Sequence, residues 1–395
     1  MKIRTFFFLL IIYIFINTCA VVYGMKLTEE EKVTLYKAQQ EMNKNNLKKA
    51  QEIIITFLDK NQDKDVSPEL YLYLGNSYYD RDQYKKSAQT YSEGLKDNPE
   101  NISLILNFAV SSYRCQNYQE AGTYFHRAYL FSKKEQRKPE LLFKSATAFY
   151  RAKMLNKANE NLNKLLDSNQ NTEEKWLKLL IRINYELKKW PSLEENIHSF
   201  LKMEPTKSEY WRLLAQAYLE QEKYVQAASI LEIVHSLFPA TKDDLKQLAN
   251  LYLYIDDPEK AANILEKVYG NNPDSNACER LAQLYFRSLH YKKALSFINK
   301  ALEKETTAKR YFMQGEFYYR NRQYNKALQA YQESVRLDPE QGKTYLFLGF
   351  AANEVGELQL AKKAFQKASR FDKYKTWAKA NVSSIEELLA LKSEE

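Results

Sequence analysis

Tyr113-Arg114, Tyr150-Arg151, Phe286-Arg287 and Tyr319-Arg320 each set an arginine directly after an aromatic residue. Arginine offers a carboxylate a planar fork and a ring offers rigid apolar contact, so such pairs can grip an extended acidic or proline-containing peptide. The same residues could instead pack between neighbouring elements, with the guanidinium in water. Catalytic and metal chemistry have no comparable footing. His126, His198, His235 and His290 are 72, 37 and 55 residues apart, with no H-x-x-x-H or H-E-x-x-H companion. No Walker loop, G-x-G-x-x-G or G-x-S-x-G occurs, and nine scattered glycines could hardly cradle a phosphate. The expectation is a protein that is not an enzyme and uses no cofactor and no metal.

The elements that must position these pairs are helices. The chain has 395 residues, 45% of them hydrophobic and 28% charged, which is enough apolar surface for a folded protein. Only nine glycines and nine prolines are present, a poor supply for the many tight turns of a sandwich, barrel or propeller. At the N-terminus Lys2 and Arg4 precede an apolar run from Phe6 to Ile16, and Val22-Tyr23-Gly24 offers small residues for cleavage, the pattern of a secretory signal over residues 1–24. An uncleaved anchor in the inner membrane facing the periplasm, which would hold the chain near a membrane, and a lipid on Cys19 are the alternatives. Loss of residues 1–24 leaves a net charge of +7 from the full +9, with both signs interspersed. An exported chain does not meet nucleic acid as an ordinary partner, so anionic envelope surfaces or acidic peptides fit the charge better.

A self-similar unit organises the rest. Tyr210-Trp211-Arg212-Leu213-Leu214-Ala215-Gln216-Ala217-Tyr218 is followed by Tyr224, Ala227, Leu231 and Pro239; Tyr311-Phe312-Met313-Gln314-Gly315-Glu316-Phe317-Tyr318 is followed by Tyr324, Ala327, Tyr331 and Pro339. A small residue recurs at Ala50, Ser87, Ala121, Ala158, Ser192, Ala227, Ala261, Ala294, Ala327 and Ala361, at steps of 33 to 37 residues. This period and pattern resemble the tetratricopeptide repeat, a helix-turn-helix of about 34 residues. The resemblance implies an all-α, right-handed superhelical solenoid of about ten repeats with a C-terminal capping helix. Small residues such as Gly75, Ala146, Ala215 and Gly315 let paired helices approach, and Tyr78, Phe149, Tyr218, Tyr252, Tyr285 and Tyr318 fill the spaces beside them. Pro99, Pro239, Pro273 and Pro339 end second helices.

The expected division is a leader at 1–24, a degenerate first repeat at 31–67, repeats two to four at 68–172, a degenerate repeat at 173–207, repeats six to ten at 208–371, and a cap and tail at 372–395. The fifth repeat is the weakest, because Trp190-Pro191-Ser192 departs from the pattern, and it could divide the array into two halves. Helices advancing about 10 Å per repeat would hold Cys115 and Cys278 far beyond the ~7 Å reach of a disulfide. The resemblance also implies that first helices line a groove, placing the aromatic-arginine pairs there, with Tyr79, Tyr185 and Tyr254 as further aromatic rungs. Lys246, Asn250 and Lys309 resemble part of the carboxylate clamp of chaperone-binding members, with Arg280 and Met313 departing from it, so the group reads as a generic basic groove.

Between Trp211 and Leu302 the phrases LAxLY and DPEKAAxxLEK are similar to those of envelope tetratricopeptide proteins associated with TonB-dependent transport. That resemblance implies a periplasmic scaffold that binds protein or peptide and contacts TonB, ExbB and ExbD. Two rival readings are a pilus, secretion or outer-membrane assembly factor and a subunit of cell-wall or polysaccharide machinery that stacks sugars on tyrosine.

Overall fold

The computed structural model describes residues 27–62, 64–168 and 172–394. The segment 1–24, with its leader and Cys19, lies outside them. The described residues form 21 α-helices and one short 3-10 turn, with no strand. None of these helices is long and apolar enough to cross a membrane.

Two compact units divide the chain between Pro205 and Thr206. The first contains α1 (Glu29–Asn43), α2 (Leu47–Lys60), α3 (Pro68–Tyr79), α4 (Tyr84–Asp97), α5 (Ile102–Arg114), α6 (Tyr118–Phe131), α7 (Lys138–Arg151), α8 (Leu155–Asp167), α9 (Glu174–Glu186) and α10 (Trp190–Met203). The second contains α11 (Ser208–Glu220), α12 (Tyr224–Leu237), α13 (Lys242–Tyr254), α14 (Pro258–Tyr269), α15 (Ser275–Arg287), α16 (Tyr291–Lys304), α17 (Ala308–Arg320), α18 (Tyr324–Leu337), α19 (Gly342–Glu354), α20 (Leu358–Ala368) and α21 (Lys375–Glu394). Within each unit every helix packs chiefly on the one before it and the one after it. The protein is all-α and built of ten helix pairs, five in each unit, with α21 following the last.

One turn recurs in all ten pairs. The first helix ends on a residue in the left-handed region: Asn45, Asp82, Gln116, Lys153, Lys188, Glu222, Asp256, Leu289, Arg322 and Gly356. The amide of the next residue donates back to the carbonyl five positions earlier, as from Gln83 to Tyr78 and from His290 to Tyr285. This closure satisfies carbonyls that a helix end leaves free. Nine of the ten left-handed residues carry a side chain, at an intrinsic cost of about 1–2 kcal/mol each; packing must hold them there.

That packing is large against small. A Cβ on Gly75 would lie 2.3 Å from the Tyr91 ring, one on Gly315 2.7 Å from Tyr331, and one on Gly349 2.6 Å from Phe365. In each case a first helix gives way to an aromatic residue of the second helix of its own pair. The small residue of the second helix sits five positions after the left-handed residue, as at Ala50, Ala121, Ala158, Ala227, Ala294 and Ala327, all fully buried.

The same count corrects the reading of the fifth repeat. Five positions after Lys188 stands Leu193, fully buried, while Ser192 is exposed. Opposite, Ile181 is buried where other repeats have Gly or Ala. Trp190 takes the first position of the second helix, which Tyr84, Tyr118, Tyr224 and Tyr291 hold elsewhere. The fifth repeat therefore keeps the turn and exchanges small residues for bulky ones on both sides.

Interfaces between successive pairs differ in kind between the units. In the first, buried polar groups meet across them: Gln51 Nε2 donates to Ser77 Oγ at 2.7 Å, Ser87 and Ser111 share a bond of 2.9 Å, Ser145 Oγ donates to the Gly122 carbonyl at 2.6 Å, and Asn159 Nδ2 donates to Asn184 Oδ1 at 2.6 Å. The second helices of the second unit carry Ala228, Ala262, Leu295 and Leu328 there. At the N-terminal end, Glu31 is buried, closes a capping box with Thr28, and accepts from the Ser67 amide at 2.8 Å. At the other end α21 buries Ala378 and Ile385 against the last pair and leaves Trp377 exposed, as a cap helix with one wet face does.

Two substitutions test this account by urea denaturation. Gly315→Ala is expected to destabilise the second unit by about 1–3 kcal/mol, since Tyr331 must shift. Leu289→Gly is expected to stabilise it by about 0.5–1 kcal/mol, the relief of left-handed strain less the entropy cost of glycine.

Candidate functional site

The aromatic-arginine pairs fall at the C-terminal ends of α5, α7, α15 and α17, three and two residues before the left-handed turn. Each is positioned by the same closure. The ring of the pair leans on the residue that opens the second helix: Tyr113 on Tyr118 at 5.2 Å between centroids, Phe286 on Tyr291 at 5.7 Å, and Tyr319 on Tyr324 at 5.2 Å. Tyr79 and Tyr185 do the same with Tyr84 and Trp190. These rings are half-buried, with one edge in packing and one toward solvent. Tyr254 differs: it precedes Asp256 by two residues, in the place of the arginines, and Leu253 holds the ring position. It is 68% exposed and leans on Tyr224 at 4.7 Å.

The arginines divide into two kinds. Arg114 donates from Nε to the Tyr79 hydroxyl at 3.2 Å and lies 5.4 Å from the centre of the Tyr84 ring, so it stitches the third repeat to the second. That bond to the Tyr79 hydroxyl holds the guanidinium above its ordinary pKa. Arg287 pairs through Nη2 with Asp256 Oδ1 at 2.8 Å, again one repeat back. Arg151 and Arg320 are exposed and carry no ion pair among the described residues. Beside Arg151, the Tyr150 hydroxyl donates to Glu186 Oε1 at 2.7 Å, and burial followed by that carboxylate raises the tyrosine pKa. Burial also raises the Tyr319 pKa, with Glu354 adding to it.

The basic group of the second unit is largely neutralised from within. Lys246 pairs with Asp243 at 3.1 Å, Arg280 Nη2 donates to Asn250 Oδ1 at 3.4 Å, and Lys309 pairs with Glu279. Met313 is buried, with its sulfur 3.7 Å from Gln283 Nε2. Reading the sequence missed the centre of this cluster. Arg310 is 3% exposed and donates to Glu279 Oε2 at 3.0 Å, Glu305 Oε2 at 2.8 Å, the Glu305 carbonyl at 2.8 Å and Asn276 Oδ1 at 3.0 Å. The signal was available: Leu70, Leu104 and Leu141 occupy the equivalent position in other repeats, so an arginine there needs buried partners. Among the described residues no group of His, Cys, Asp and Glu is arranged to hold a metal ion.

Comparison with known proteins agrees with this geometry over one segment. The tetratricopeptide repeat model matches residues 308–341, which span α17, its turn, α18 and the four residues that follow it. Residues 308–341 are a tetratricopeptide repeat. No curated protein matches the chain. Among solved structures, MamA residues 41 to the end from Desulfovibrio magneticus is similar at 22% identity and a TM-score of 0.32, covering 42% of this chain and 96% of that one. A tetratricopeptide repeat protein from Parabacteroides merdae shows 15% identity and a TM-score of 0.34, covering 65% of this chain and 98% of that one. Yeast Tom70 shows 14% identity and a TM-score of 0.34, covering 92% of this chain and 98% of that one. The tetratricopeptide segment contains Arg310 and the Tyr319-Arg320 pair, so the buried ion cluster and an unpaired arginine lie on one helix.

Removing the Glu279 carboxylate leaves Arg310 buried with Glu305 as its one remaining carboxylate partner, and Glu279→Ala is expected to cost about 3 kcal/mol in urea denaturation. Burial, the largest influence on Glu279, raises its pKa, but hydrogen bonds and charge from Lys309 and Arg310 together bring it below the ordinary 4.5. Its stabilising contribution is therefore complete above that value and is lost as pH falls through the lowered folded pKa. A denaturation series from pH 6 downward should show this loss in the native chain and a weaker acid dependence in Glu279→Gln.

Proposed function

We propose that this protein is a non-enzymatic scaffold that binds protein segments on the first-helix ends of its repeats. The observation that carries the reading is the split among the four arginines. Arg114 and Arg287 are spent on joining repeats, whereas Arg151 and Arg320 stand exposed and unpaired beside half-buried tyrosines. An exposed guanidinium next to a ring held by its neighbour is pre-organised for a carboxylate of an extended peptide, because the ring surrenders little freedom on binding. Basic net charge favours the approach of an acidic segment.

The proposed setting is the bacterial envelope, on the strength of the leader-like residues 1–24, with TonB, ExbB and ExbD as the proposed partners on the strength of the LAxLY and DPEKAAxxLEK phrases. Crosslinking in intact cells followed by identification of the captured proteins tests both. Recovery of TonB-system components supports the assignment; recovery of pilus or assembly components in their place refutes it. For the surface itself, Arg151→Glu and Arg320→Glu are each expected to weaken capture of the crosslinked partner by about tenfold, the loss of one charge-assisted contact, with helix content unchanged. Undiminished capture by both variants would remove the rungs from the binding surface.

A further inference from the structure

The connection between α6 and α7 is longer and more basic than its counterparts. Gln116 and Lys153, the left-handed residues on either side of it, are 37 positions apart; the other steps are 33 to 35, except that from Asn45 to Asp82, which is also 37. Inserts in a repeat array gather in loops on one face, often the face that binds. The two inserts differ in charge. Residues 60–67 carry two lysines and two aspartates, whereas residues 127–138 carry five cations, Arg127, Lys133, Lys134, Arg137 and Lys138, against the single carboxylate of Glu135. That second segment holds a net +4 of the chain's +9. Glu135 pairs with Lys138 at 2.5 Å, while Lys133, Lys134 and Arg137 are exposed and have no ion pair among the described residues.

Apolar side chains stand directly beside these cations. Leu130 is 64% exposed and Phe131 37%. Leu130 lies fourteen positions after its left-handed residue, and in the other nine repeats that position holds only Asp, Glu, Lys, Arg, Ser or Gly. The Phe131 ring is held in place: the Arg127 guanidinium lies 5.7 Å from its centre and 5.6 Å from that of Tyr124, and donates from Nη2 to the Pro99 carbonyl at 2.6 Å. Within the connection the Lys134 amide donates to Ser132 Oγ at 3.3 Å and the Arg137 amide to the Lys134 carbonyl at 3.0 Å. The side chains are thus presented from a braced backbone.

We propose that the α6–α7 connection docks this protein on an anionic phospholipid bilayer, with Leu130 entering the headgroup layer and Lys133, Lys134 and Arg137 meeting lipid phosphates. Charge complementarity selects this occupant. A bilayer of this kind is anionic at its face and apolar just beneath, and one short segment here offers cations and an exposed leucine side by side. A fixed carboxylate on a protein is matched less well. Two of the three unpaired cations are lysines, whose compact charge on a flexible stem suits a diffuse layer of phosphates. One leucine and three cations make the attachment weak, reversible and sensitive to salt. The surface is separate from Arg151 and Arg320, and its assignment does not rest on theirs.

Quenching of Leu130→Trp fluorescence in the full chain, by brominated lipid in vesicles of phosphatidylcholine with roughly 30% phosphatidylglycerol, tests this. Residues 1–24 contain no tryptophan, so the signal above that of the native chain reads the connection itself. The expected result is quenching that weakens as salt rises and is lost in vesicles of phosphatidylcholine alone. Adding Lys133→Gln and Lys134→Gln should raise the lipid concentration for half-quenching by about 25-fold, about fivefold per cation. Adding Lys363→Gln and Lys367→Gln, exposed lysines of α20, should leave it unchanged. All these sites are exposed, and an unaltered helix content by circular dichroism verifies the fold of each variant. Absence of quenching, equal quenching in neutral vesicles, or indifference to Lys133→Gln with Lys134→Gln would overturn the proposal. An equal effect of the α20 pair would do the same, since it would reduce the attraction to overall charge. Binding of polyglutamate or single-stranded RNA that Lys133→Gln with Lys134→Gln abolishes, without quenching by lipid, would reassign the segment to an acidic polymer and equally overturn it.

Discussion

The structure depends on one constraint: each first helix must stop on a left-handed residue so that the second returns with the residue five positions on facing the first, a small one in nine pairs and Leu193 in the fifth. Nine of these residues are not glycine, and their conformational cost is met by the packing that the turn permits, a ring seated against glycine at Gly75 and Gly315 and bulky aliphatic side chains at Ile181 and Leu193. The hydrogen bond that closes the turn also sets where the last turn of the first helix ends. The aromatic-arginine pairs sit in that last turn. Their geometry is thus a by-product of the closure, and variation among repeats adds the function: an acid one repeat back ties Arg287 down, and its absence leaves Arg320 free.

The period was legible from the small residues alone, because a close helix contact admits few side chains and so repeats the same letters. The fifth repeat shows where that legibility ends. Ser192 is small and nearly in phase, yet the turn places Leu193 in the contact, with Ile181 opposite. Two bulky residues in register carry no letter signature, whereas the position of Lys188 as the left-handed residue does locate the contact. For the surface, residue type and spacing identified the rungs but not their state. Whether a guanidinium is free depends on a residue about 30 positions earlier, Asp256 for Arg287 and Tyr79 for Arg114, and one-repeat patterns do not contain that information. Tyr254 belongs to the same lesson, since one residue of phase separates a ring that leans on its own pair from one that projects.

The two compact units solve the stacking problem with different chemistry. Buried Ser, Asn and Gln pairs join repeats in the first, and alanine and leucine join most of them in the second, with the Arg310 cluster as a charged exception. Buried polar pairs add little net stability but penalise any slip of register that would leave them unpaired. Apolar interfaces are more tolerant of sliding and gain from area. The first unit is thereby specified more by geometry and the second more by burial.

Hydrogen exchange at the turn amides measures the central constraint most directly. Asn117, Lys189, His290 and Gln323 each follow a left-handed residue and donate to a carbonyl five positions back. All four should be protected well beyond the level of turn amides open to water, and Lys189, in the repeat whose letters depart furthest, should be protected as its counterparts are. Exchange of Lys189 at the rate of an unstructured chain, with the others protected, would show that the closure does not govern every repeat and would contradict this account.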